Sequence, residues 1–172
     1  MVMIVVLPWP ADDAASLEQL YAEVDQQYCL VALPVPLPES KTAQYLNAIQ
    51  AGETNGLPFL CLAVMHDEGI IGKIDLFRSP DHSAEIDIVL KQGFTHQGYG
   101  TEALRQVFAM LRQINWCTSI HAYIRQDNLP AVKLMEASGF TANRRFKADI
   151  MKEDNGLYQL SVVQGIEYIL QL

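Results

Sequence analysis

The sequence predicts a mixed α/β (α+β) fold, a single domain over residues 1–172, and three observations predict it. Apolar and polar residues alternate in short runs, the pattern of half-buried strands. Between those runs apolar residues recur every three or four positions, the pattern of amphipathic helices. The junctions carry turn chemistry, with Asp67-Glu68-Gly69 and Asn155-Gly156 reading as hairpins. Half of the 172 residues are apolar and 19% are charged, a globular composition with enough apolar mass for a core.

In chain order, Val2 to Leu7 reads as a strand. Asp12 or Asp13 caps a helix with Ala14, Leu17, Leu20, Tyr21 and Val24 at helical spacing. Val31 to Pro38 is extended or irregular, because its alternating prolines lack donors and fix φ. Ser40 caps a second helix through Gln50, with Tyr45, Leu46 and Ile49 inward and Gly52 ending it. Gly56 and Pro58 mark a loop, and Phe59–Met65 and Ile70–Phe77 are strands. After a turn at Ser79 to His82, the strand Ala84–Leu90 puts Ile86, Ile88 and Leu90 on one side and Glu85, Asp87 and Val89 on the other. A helix follows, with Ala103, Leu104, Val107, Phe108, Leu111 and Ile114 on one face. Ser119–Arg125 alternates again. Asn128 caps a short helix carrying Ala131, Val132, Leu134 and Met135 that Gly139 stops. Phe140–Ile150 and Tyr158–Leu170 close the chain as two long strands.

The stretch from Glu85 to Ala103 is the chemical centre. A strand, a glycine-rich turn and a helix start, in that order, make an anion site, because the first helical amides lack partners and the helix dipole favours negative charge. Gly98 and Gly100 admit a phosphate close to the backbone and permit positive φ. Neither the G-x-x-x-x-G-K-[ST] nor the G-x-G-x-x-G fingerprint is present.

The formal charge of −8 argues against non-specific nucleic-acid binding and against an anionic membrane surface. No apolar run approaches the ~18 residues of a membrane span. The opening Met1–Pro10 has no charged leader region and reads as a strand, so a cytoplasmic protein is expected. Cys29, Cys61 and Cys117 have no metal-ligand spacing and read as free thiols, and no metal site is expected.

A second landmark runs from Asn128 to Phe140, N-x-x-A-x-x-L-M-x-x-x-G-F. With Thr95-His96-Gln97-Gly98-Tyr99-Gly100 it resembles the GNAT superfamily of N-acetyltransferases, most nearly the branch of ribosomal-protein and spermidine acetyltransferases. That family joins a R/Q-x-x-G-x-G/A turn and helix to a strand and then N-x-x-A-x-x-L-Y-x-x-x-G-F. The resemblance covers nearly the whole chain and implies a central, mixed but mostly antiparallel sheet flanked by about four helices. It implies acetyl-CoA as cofactor, with backbone amides of Gln97, Gly98, Tyr99, Gly100 and Thr101 on the pyrophosphate. Backbone groups of Ile88, Val89 and Leu90 would pair with the pantetheine arm like an added strand, with the Leu90 amide polarising the thioester carbonyl. Asn128 would bond that arm, cap its helix, or do both. Two residues depart from the pattern: Thr95 replaces Arg or Gln, and Met135 replaces the Tyr that often protonates the leaving thiolate, a proton a thioether cannot give.

Glu85 matches a Glu of this strand in family members. It is either the general base or a solvated cross-strand partner. Asp87 shares its face and suits a cationic acceptor, while Tyr123 is either a thiolate acid or a packed strand tyrosine. His96 is either a phosphate contact or an exposed loop residue, His121 shares the strand face of Tyr123 away from Ile120, and His66 and His82, beside turns, carry no constellation. The implied reaction is direct attack of a primary amine, on a small molecule or a peptide N-terminus, without an acyl-enzyme. A silent acyl-CoA-binding module and a nucleotide-phosphate binder of another fold are the competing classes. Trp9, Tyr28 and Tyr45 either line an acceptor pocket or fill the core. Dimerisation through the C-terminal strands is compatible with the pattern.

Overall fold

A computed structural model describes residues 3–30, 33, 35–154 and 156–172. Among the described residues the elements run β1 (Val5–Pro8), α1 (Ala14–Glu23), α2 (Glu39–Ala51), β2 (Glu53–Thr54), β3 (Leu57–His66), β4 (Gly69–Arg78), β5 (Ser83–Leu90), a 3₁₀ turn (Gln92–Phe94), α3 (Tyr99–Ile114), β6 (Ser119–Arg125), α4 (Leu129–Ala137), β7 (Thr141–Asp154) and β8 (Leu157–Gln171). The expected mixed α/β fold holds, with an eight-stranded sheet in the order β1-β3-β4-β5-β6-β8-β7, β2 pairing with β3 off that path. Every pairing is antiparallel except β5 with β6.

Local chemistry explains most boundaries. Asp13 accepts from the Ser16 amide at 2.9 Å and starts α1. Asn128 does the same for α4 through the Ala131 amide at 3.2 Å. Gly52 at φ 67° ends α2 by returning its amide to Ala48 and Ile49. Ser40 is not the cap of α2: the helix begins at Glu39, and Pro38 precedes it with no side-chain bond. Pro58 lies inside β3, since Asn55 and Gly56 at φ 51° and 75° turn a two-residue hairpin between β2 and β3. Val2, Val31, Ala32, Pro34 and Asn155 lie outside the described residues.

The sheet separates two cores. Against α3 and α4 pack Ile74, Leu76, Ile86, Leu104, Val107, Leu111, Ile120 and Met135. Against α1 and α2 pack Trp9, Leu17, Leu20, Tyr21, Leu37, Phe59 and Cys61, with Tyr45, Phe77 and Val89 at their margin. The amphipathic face of α3 faces the first core, except that Ile114 is 54% exposed at the helix end. Trp9 is a core residue, while Tyr28 lies under the Arg125 guanidinium at 5.7 Å.

Candidate active site

Among the described residues the one parallel pairing is also the shortest contact in the middle of the sheet. β5 and β6 pair only at Ser83–Ser119, Ala84–Ile120 and Glu85–His121. β5 nevertheless continues to Leu90 against β4, and β6 continues to Arg125 against β8. The two strands therefore part after Glu85 and leave a wedge-shaped gap. The Lys91 amide donates to Ile71 carbonyl oxygen at 2.8 Å and extends the β4–β5 register. Since strand backbone groups alternate sides, the amides and carbonyls of Ile88 and Leu90 face the gap, while those of Val89 face β4.

At the far end of β5 the chain turns into α3. His96 and Gly98 both take left-handed conformations, at φ 60° and 85°, and Gly98 caps α3 without a side-chain bond. Among the described residues, no backbone amide from Gln97 to Thr101 donates to another protein group, and the first helical bond is Glu102 amide to Gly98 carbonyl at 3.1 Å. These are orphan donors of a helix N-terminus aimed past the end of β5. At Gly100 a Cβ would stand 3.2 and 3.3 Å from the two Leu134 methyls, so its bareness seats α4 on α3. Tyr99 packs edge-on to His66 at 5.4 Å, its hydroxyl 3.3 Å from Nε2, which ties the turn to β3. The Asn128 side-chain oxygen is committed to capping α4.

The α1/α2 face of the sheet at the root of the gap is the polar centre. Glu85, Asp87, His121, Tyr123 and Arg125 all project from it. Glu85 and Asp87 keep contact with solvent while protein crowds them, as at the floor of a cleft. That crowding raises both carboxyls above their usual range; Asp87 raises Glu85 further, against His121, and Asp75 raises Asp87 further, against Lys73. Asp75 is the register partner of Asp87 and pairs with buried Lys73 and with the Tyr45 hydroxyl. Burial alone would lower the Lys73 ammonium, but Asp75 holds it above its ordinary value.

A second cluster adjoins it on β6, β7 and β8. The buried Glu167 carboxylate is bonded by His121 Nδ1 at 3.0 Å, the Tyr123 hydroxyl at 3.1 Å, Asn143 Nδ2 at 2.8 Å and Arg144 Nε at 2.6 Å. Burial works against its charge, yet those four bonds hold it at about 2. Tyr123 is raised by desolvation and by its bond to Glu167. Glu167, Lys73 and Asp75 are missing from the sequence reading. Two charges at alternate positions of Ile70–Phe77 signalled the pair, whereas nothing local signalled Glu167.

Residues 23–27, at and just past the end of α1, reach from the end of β5 to the end of β6. Glu23 pairs with Lys91 beyond the end of β5 at 3.3 Å. Arg125, at the end of β6, donates to the Gln27 carbonyl at 3.2 Å and is held from behind by Asp127. Burial raises Cys29, between α1 and α2, to about 11, and Asp87 adds to the rise. Burial also raises Cys61 and Cys117. No described thiol is therefore a ready nucleophile, and no metal-binding group of His, Cys, Asp or Glu occurs among the described residues. No helix is long and apolar enough to cross a membrane.

Comparison with known proteins meets this geometry. No curated protein sequence matches the chain. Among solved structures it is similar to RimL, a ribosomal L7/L12 alpha-N-protein acetyltransferase in complex with coenzyme A. The TM-score is 0.78 at 15% identity, over 100% of this chain and 96% of that one. A ribosomal-protein-alanine N-acetyltransferase from Brucella melitensis superposes at 0.73 and 15% identity, covering 98% and 99%. A spermidine N-acetyltransferase from Vibrio cholerae, in complex with coenzyme A and spermine, does so at 0.74 and 16%, covering 98% and 95%. The family model described as an acetyltransferase (GNAT) domain matches residues 4–141, a span that takes in the divergent strands, the capped turn and α4. The chain thus belongs to the GNAT acetyltransferases, enzymes whose acyl donor is acetyl-CoA.

Proposed function

We propose that this acetyltransferase acylates a primary amine, on a small molecule or a peptide N-terminus, by direct attack at the root of the β5–β6 gap. The observation that carries the reading is the parting of β5 from β6 after Glu85, with Ile88 and Leu90 facing the opening and the orphan amides of Gln97–Thr101 at its end. A diphosphate fits the five amides, with Gly98 leaving the approach bare. An extended amide-bearing arm fits the free edge of β5, with Val89 contributing side-chain packing between its neighbours. Asn128 lies past the end of β6, where its uncommitted amide nitrogen suits the same arm. Acetyl-CoA supplies the acetyl group as a thioester.

The chain's own residues manage protons and charge. Glu85, its carboxyl raised by crowding, takes the proton that the ammonium must lose before its nitrogen can attack. Asp87 holds positive charge beside it. The Leu90 amide, which faces the gap, polarises the thioester carbonyl in this reading. Met135 is fully buried and has no proton to donate. Tyr123 carries a hydroxyl on this face of β6 and is assigned to the leaving sulfur, its hydroxyl oriented by its bond to Glu167, which Arg144 holds in turn. The raised, protonated thiols support direct attack over an acyl-enzyme, and unpaired cysteines support a reducing compartment such as the cytoplasm.

β7 ends the sheet, and the ribbon it forms with β8 exposes Met151, Leu157, Tyr158, Leu160 and Val162, which supports a homodimer joined there. Light scattering decides that point. The activity is tested by thiol release from acetyl-CoA with a panel of amines, alongside calorimetric titration of coenzyme A. Thiol release that depends on an amine is expected. Tight coenzyme binding with no release for any amine would make the chain a binding module instead.

A further inference from the structure

On the α1/α2 face lies a cavity of about 210 Å³ walled by Tyr21, Leu37, Tyr45, Ala48, Phe59 and Phe77. It adjoins the proposed reaction site. Phe77 stands directly across from Glu85 in the β4–β5 ladder, and Tyr45 donates to Asp75, the register partner of Asp87. Directly opposed residues lie about 5 Å apart, so carboxylates and apolar recess are within one side chain's length of each other. Besides the ring-bearing Tyr21 and Tyr45, the polar residues at the cavity are Lys41, Gln44 and Thr54, and no carboxylate lines it among the described residues.

We infer that the acceptor is an amphiphilic monoamine, whose ammonium meets Glu85 and Asp87 while a single aromatic ring or branched aliphatic group on a short link fills this cavity. The inference rests on the acetyl-transfer reading and narrows its acceptor. A dry cavity on the order of 150 Å³ holds a benzene ring, so this one has room for a ring and its link. A second ammonium in the recess would lie beside Lys41 with no carboxylate to neutralise it, and burying an unpaired cation is strongly unfavourable. Polyamines are therefore poor acceptors, and aminoglycosides exceed the space. Two sources share the favoured chemistry: a free arylalkylamine, and a peptide whose N-terminal residue is large and apolar.

The test is acceptor-dependent thiol release by the wild-type chain with n-alkylamines from ethylamine to hexylamine, 2-phenylethylamine, spermidine, and peptides beginning with Phe or Gly. Along the alkyl series kcat/KM should rise about threefold to fourfold per methylene until the recess is filled. 2-Phenylethylamine should exceed spermidine, and the Phe peptide the Gly peptide, each at least tenfold. Whichever of 2-phenylethylamine and the Phe peptide is faster identifies the source. Ala48→Leu, which shrinks the cavity, should lower the phenylethylamine-to-ethylamine ratio at least tenfold. Titration of 2-phenylethylamine onto the coenzyme A complex of the wild-type chain reads binding without turnover and without that variant. A flat alkyl series, a preference for spermidine, or absent binding overturns the assignment. If polar amines alone are acetylated, only the acceptor assignment falls. If no amine releases thiol although coenzyme A binds, the transfer reading falls and takes this one with it.

Discussion

Replacing Glu167 by Gln tests whether one buried carboxylate organises the β6–β8 side of the site. Its ionised form is favoured from an ordinary 4.5 down to about 2. At 1.36 kcal/mol per unit that is about 3 kcal/mol. Arg144 is 66% exposed, so its share is screened, and about 2 kcal/mol is the sounder figure. Glutamine keeps one acceptor oxygen. Its NH₂ must face either His121 and Tyr123 on one side or Asn143 and Arg144 on the other, leaving donors opposed at a further cost of about 1 kcal/mol. The sum is about 2–3 kcal/mol, which lowers the urea midpoint by about 1 M for a typical slope near 2 kcal/mol/M. Because the folded pKa is depressed, the wild-type advantage is fully present above the unfolded value of 4.5 and fades as pH falls towards 2. Urea titrations at pH 7, 5 and 4 should show a gap that is constant at the first two and smaller at the third. Equal midpoints at pH 7, or a gap that widens on acidification, would refute the assignment of Glu167 as the charged hub.

Three further outcomes are expected. Gly98→Trp blocks the approach to the orphan amides and should weaken acetyl-CoA binding about a hundredfold or more, the loss of two charge-assisted hydrogen bonds; unchanged affinity in a folded variant would remove the anion cradle. Glu85→Gln should cut turnover at neutral pH about a hundredfold with coenzyme affinity intact. The wild-type rate should fall as pH drops through the raised Glu85 pKa, and the variant should lack that limb in a pH–rate profile. Lys73→Met leaves Asp75 buried beside Asp87 without its cation, a loss of about 3–5 kcal/mol in denaturant titration, and adding Asp75→Leu should recover most of it.

Much of this architecture is legible because local rules and tertiary packing agree. The alternation of residues 84–90 assigns Glu85 and Asp87 to one face and Ile86, Ile88 and Leu90 to the other, and the two cores keep that division. The caps at Asp13 and Asn128 follow from side-chain chemistry alone. The expected cap at Ser40 fails because the chain arriving through Pro38 already presents a helical first turn one residue earlier. The packing of Gly100 against Leu134, thirty-four positions away, is invisible to any local pattern. Glu167 was out of reach for the same reason: its four partners come from β6 and β7, and only the sheet order brings them together. The gap itself depends on where two parallel strands diverge, and no residue of either strand announces that point.

The division of the interior into two cores has an evolutionary consequence. Tyr45, Phe59 and Phe77 share no packed cluster with Leu104, Val107 or Leu111. Substitutions beneath the first pair of helices can thus redraw the recess for a new amine without disturbing the seating of the helix that follows Gly98. A lineage built this way is free to diversify in what it modifies while inheriting, unchanged, the apparatus that presents the activated acyl group.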